Sequence, residues 1–184
     1  MRRFMSALLL ISVIIIATPE SHAAVNRSTS QGGRQGSGGP FGLGIMLGDP
    51  TGISAKYWMS GGTALALGLA SSWHDYFEVF MDHDWHFTSA FPANVPLVPY
   101  VGIGAGLFFN TYDRYYGEVY YNRRSVFFSD GSRSMAVALR IPLGIEFLPR
   151  TVPFGAFLEV TPGLALLPGM HGTLQAALGA RYYF

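Results

Sequence analysis

The chain contains no cysteine among its 184 residues, which excludes disulfides, thiolate metal sites and cysteine catalysis together. Charge is also scarce. Only 12% of residues are charged, about half the usual share for a soluble domain. The net charge of +1 gives nucleic acid nothing to recognise. Metal-ligand spacing such as His-Glu-x-x-His is missing, so neither a metal nor another cofactor is expected. From Phe41 onward there is no helical periodicity and no apolar run long enough to cross a membrane as a helix. Present in their place are 23 glycines, 15% aromatics and a recurring two-residue alternation.

The first residues read as a secretory signal peptide over 1–23. Arg2 and Arg3 precede an apolar run from Leu8 to Ala17, and Ser21 and Ala23 supply small side chains before a cut. The run falls short of the roughly 20 apolar residues that a permanent span needs. Residues 24–40 are rich in glycine and serine, with little to bury, and read as a flexible lead-in. Length then leaves room for one domain, 41–184.

Within that domain, turn signals separate eight alternating segments at 41–48, 52–59, 63–72, 75–87, 98–110, 134–147, 153–161 and 173–184. One face collects large apolar residues such as Leu43, Ile45, Ile53, Leu67, Leu69, Val79, Met81, Ile103, Leu139, Leu158 and Val160. His83 alone interrupts it. The other face carries glycine, alanine and nearly all the strand charges: Lys56, Glu78, Asp82, Asp84, His86, Arg140, Glu146, Glu159 and Arg181. A soluble barrel would turn that second face to water, leaving a poor surface of glycine and alanine. Reversed, large side chains meet lipid and charges meet one another. Flipping the register would move about eight charges towards lipid, at roughly 2–4 kcal/mol for each basic one near the midplane.

The fold expected is therefore all-β, an eight-stranded antiparallel up-and-down transmembrane β-barrel. Hydrocarbon requires the sheet to close, because free edges would leave backbone groups unsatisfied. An interior of eight strands is wide enough for side chains only. The nine inward residues named above are expected to form an ion-pair plug, with glycines of the first and fifth strands making room for Met46, Trp58, Tyr76, Phe80 and Arg140.

The last segment, Thr173 to Phe184, alternates to its final residue and ends Gly179-Ala180-Arg181-Tyr182-Tyr183-Phe184. With the signal peptide and the alternation, this terminus resembles the small eight-stranded outer-membrane barrels of Gram-negative bacteria, including OmpA-like transmembrane domains and OmpW-like proteins. The resemblance covers residues 41 to 184. It implies a bacterial outer-membrane location, lipid and lipopolysaccharide as surroundings, and an assembly signal at Gly179, Tyr182 and Phe184 read by the barrel-assembly machinery. Ala177 stands where that signal carries a polar residue. The segment Leu47 to Trp58 resembles a hairpin found in uncharacterised members and implies kinship without activity.

Lipid A deacylases and palmitoyltransferases are built on this scaffold, and such an activity would need a serine with a histidine base within reach. His86 and Ser89 fall at the periplasmic end, the wrong leaflet for lipopolysaccharide, and His83 reads as an interfacial residue. No enzyme is expected. The loop from 111 to 133 mixes tyrosine and arginine, the side chains of recognition surfaces. Arg114, Arg123, Arg124, Arg133, Tyr115 and Tyr120 are its candidate contacts for lipopolysaccharide phosphates and sugars. A structural or surface-interaction role is thus the expected function, with a narrow channel for small or apolar solutes as the alternative.

Overall fold

The computed structural model describes residues 36–184 apart from 73–75, 93, 111–134 and 168–169. Nine strands appear: β1 (Phe41–Asp49), β2 (Thr51–Trp58), β3 (Thr63–Ser72), β4 (Tyr76–His86), β5 (Leu97–Asn110), β6 (Met135–Arg140), β7 (Leu143–Phe147), β8 (Phe154–Leu167) and β9 (His171–Tyr183). All pairings are antiparallel, and each strand pairs with its chain neighbours except β6 and β7, which both lie between β5 and β8. The ring closes where β1 meets β9, with Gly42 opposite Tyr183 and Asp49 opposite Ala176. The chain is a closed all-β barrel.

The segment expected as one strand over 134–147 is split at Ile141 and Pro142. Two prolines explain the split. Gly102 donates its N–H to the carbonyl of Pro142 at 2.8 Å, and Ile141 donates to the carbonyl of Pro162 at 2.9 Å. Neither proline has an N–H with which to return the bond. The break costs no register. Arg140 faces Gly104 and Leu143 faces Val101, so β6 and β7 follow β5 in one phase. Arg140 faces Gly163 and Leu143 faces Val160, so the same holds against β8. The ring thus has eight staves, one of them interrupted. Pro162 also failed to stop the seventh strand at 161; β8 runs on to Leu167 because that carbonyl still accepts from Ile141.

Going once round the ring, from Leu43 through Ala55, Leu67, Met81, Ala105, Leu139 and Leu164 to Gly172, the register climbs by about ten residues, the stagger that closure of a tilted sheet demands. The two faces fall as the alternation requires. Ile45 is 58% exposed and Leu158 55%, whereas Lys56 is 1% and Glu78 0% exposed. Large apolar side chains therefore form an outer belt around a charged interior.

Three separate apolar clusters fill the interior around those charges. Tyr76 and Phe108 pack with Ala136, Ala138 and Ala165. Met46, Phe80 and Phe157 pack with Ala70 and Ala177. Trp58, Val98, Leu148 and Tyr183 pack with Ala64. Room for the Phe80 ring comes from Gly68 on β3, not from the first or fifth strand, since any side chain at Gly68 would strike that ring. Gly106 on β5 does lie against Arg140, as well as against Phe108.

Candidate functional site

The interior charges form two clusters. In the first, the Glu146 carboxylate of β7 is the centre. Lys56 of β2 donates to it at 2.9 Å, and Tyr183 of β9 donates its hydroxyl at 2.5 Å. Arg181 reaches it at 3.5 Å, and the His86 ring nitrogen lies 3.4 Å away. Lys56 also pairs with Asp84 at 3.1 Å, and Arg181 holds Ser54 through both Nε and Nη2. Aromatic rings line this cluster. Lys56 sits 4.3 Å from the centre of the Tyr100 ring, and His86 lies between Trp58 and Tyr100. Such cation–ring contacts gain strength where water is excluded.

In the second cluster a cation is the centre. The Arg140 guanidinium of β6 donates to Glu78 at 2.7 Å and to Asp82 at 3.1 Å, with Glu159 at 3.8 Å. It also donates to the side-chain oxygen of Gln175 at 2.5 Å. The amide nitrogen of Gln175 then donates to Glu78 at 2.5 Å and to the Tyr76 hydroxyl at 3.0 Å. Glu159 accepts from Tyr100 at 2.6 Å and from Thr161 at 2.9 Å. Tyr100 thereby joins the two clusters, its hydroxyl in one and its ring in the other.

Three of these contacts run straight across the barrel. In a ring of eight staves, β2 and the stave of β6 and β7 stand opposite, and so do β4 and β9. The Lys56–Glu146 pair joins the first two, and the Gln175 bonds to Glu78 and Tyr76 join the second two. Arginine planes fill more of the bore, Arg140 over Phe80 at 4.1 Å and Arg181 over Phe157 at 3.8 Å. The interior is braced and filled by its own side chains.

All nine residues named from the sequence as an interior network are buried and lie within these clusters. The hydroxyl and amide partners were not named with them: Ser54, Tyr76, Tyr100, Thr161, Gln175 and Tyr183. Strand parity was the available signal: Ser54, Tyr76, Thr161 and Tyr183 each stand two residues from an inward charge on their own strand, and Tyr100 and Gln175 face His86 and Thr161 across the ladder. Arg114, Arg123, Arg124, Arg133, Tyr115 and Tyr120 lie outside the described residues. His83 sits on the outer face with its ring 4.7 Å from that of Trp85, apart from the network. Gly179 faces inward under the Phe157 ring, while Tyr182 and Phe184 stand outward and meet edge to face at 4.9 Å. Among the described residues no group of three or more histidine and acidic side chains has a metal-binding arrangement.

No family model matches the chain, and no curated protein does. Among solved structures it is similar to the N-terminal beta-barrel domain of Pseudomonas aeruginosa OprF. The two share 19% identity over 78% of this chain and 95% of that one, with a TM-score of 0.54. At that identity the likeness shows the fold alone.

Proposed function

We propose that this protein is an integral outer-membrane barrel whose lumen is closed by its own side chains, serving a structural or surface-interaction role without catalysis. The outer belt supports the membrane reading. Residues such as Leu43, Ile45, Ile53, Leu69, Met81 and Ile103 are each more than two-fifths exposed, and no water-soluble surface gains from so continuous an apolar band. The OprF barrel domain supports the architecture at fold level. Partners in this reading are the surrounding lipid and lipopolysaccharide, with the assembly machinery during insertion at Gly179, Tyr182 and Phe184.

The observation that carries the closed lumen is the pair of braces across opposite staves, Lys56 to Glu146 and Gln175 to Glu78. Passage of a solute would require breaking both. Each is a charge-assisted contact between buried side chains, where losing one partner leaves the other uncompensated.

Purified protein in a planar bilayer tests this directly. Silence under an applied voltage is expected, and steady unit openings would replace the closed barrel with a narrow channel. Membrane insertion has its own check. The folded protein should need detergent to stay soluble and should migrate differently on gels before and after boiling. Identical migration, together with solubility in plain buffer, would overturn the membrane assignment.

A further inference from the structure

The β1–β9 seam differs from every other junction of the ring because no turn ties its two strands together. It is held by eight paired residues, against twelve on the other flank of β9. The five residues ahead of β1 lie across this junction. The Ser37 N–H donates to the carbonyl of Pro149 at 3.2 Å, in the turn between β7 and β8. At the other end the carbonyl of Pro40 accepts from the N–H of Trp58, the last residue of β2, at 2.9 Å. Between those anchors the chain passes the end of β9. A side chain at Gly39 would fall on the Phe184 carbonyl group, and one at Gly38 would meet the Tyr183 carbonyl and Pro153. Gly38 also has a φ of 97°, in the region that favours glycine.

We propose that residues 36–40 are a clasp that locks the barrel seam. They continue the β1–β2 ladder at Pro40 and then cross the end of β9 to the β7–β8 turn, so that opening the seam requires the clasp to leave first. Glycine is required here for close approach. Only a residue without Cβ lets the strap lie flat on the backbone of Phe184. The seam end is fastened further by the N–H of Phe184 donating to the carbonyl of Phe41 at 2.8 Å and by the stacked rings of those two residues, 6.4 Å apart. The clasp can form only when both ends of the barrel chain have met, because its contacts beyond the β1–β2 hairpin come from the β7–β8 turn and from β9.

Two measurements on the full-length protein test the clasp. The chain has no cysteine, so the double variant Ser37→Cys with Pro149→Cys carries one pair of thiols only. The 3.2 Å bond between the Ser37 N–H and the Pro149 carbonyl brings the two backbones together at that site. Mild oxidation of the folded protein should join them nearly completely within one molecule; free thiols in folded protein would overturn the clasp. The second measurement compares Gly39→Ala with Gly172→Ala, where an added Cβ meets nothing within 4 Å. Gly39→Ala should lower the temperature of the gel-mobility shift by about 5 °C and speed hydrogen exchange at Tyr183 and Phe184. Gly172→Ala should leave both unchanged. Equal behaviour of the two variants would also overturn the proposal.

Discussion

The two polar clusters inside the barrel are inverses of one another. Around Glu146, two cations and a tyrosine hydroxyl converge on one carboxylate. Around Arg140, three carboxylates converge on one guanidinium. In the first, the cations keep other partners, Asp84 for Lys56 and Ser54 for Arg181. In the second, Asp82 has its ion pair with Arg140 as its hold on positive charge, and Glu78 and Glu159 turn to the same group. The first cluster is thus a mesh with alternatives, and the second hangs on a single side chain. In a buried interior, the number of alternatives decides what one substitution does.

That contrast can be broken by experiment. Arg140→Met should have the largest effect, about 4 kcal/mol of unfolding free energy in detergent, because three carboxylates are left facing one another. Glu146→Gln should cost about 2 kcal/mol by the same measurement, since the shape and the Tyr183 bond survive and both cations retain a partner. A larger loss for Glu146→Gln than for Arg140→Met would reverse the account of which cluster is fragile. Adding Glu78→Gln to the Arg140→Met background should restore about 1 kcal/mol, and no recovery would show that carboxylate repulsion is not the cause. Smallest is Thr161→Val, which removes one of the bonds to Glu159 for about 1 kcal/mol; a neutral result would mean that Tyr100 holds Glu159 without help.

Much of this architecture was legible because alternation is a local signal. Lys56, Glu78, Arg140 and Arg181 could each be assigned to the inner face from their immediate neighbours, since a strand turns successive side chains to opposite sides. The pairing between them was not legible. Parity says that Gln175 and Glu78 both point inward, yet says nothing of their relative heights. Height follows from the stagger accumulated round the ring, and that stagger is set by turns and ladders far from either residue. The interruption at Pro142 escaped for a related reason. Its side chain keeps the alternation while its missing N–H breaks a bond to the neighbouring strand. Residues 36–40 belong to the segment 24–40, read from composition as a flexible lead-in. The property that lets glycine move also lets Gly39 approach Phe184, and only the fold brings Phe184 to that place.

The sequence by itself determined that strands would form, how many staves they would make and which face of each would carry charge. Those follow from period two, from turn residues and from the need of buried charges to meet one another. The tertiary structure decided which charges meet, that Lys56 and Glu146 span the bore, and that Tyr100 links one cluster to the other. It also decided that the chain ahead of β1 lies across the seam. Partner choice depends on register and closure, and these belong to the whole ring and to no single segment of the chain.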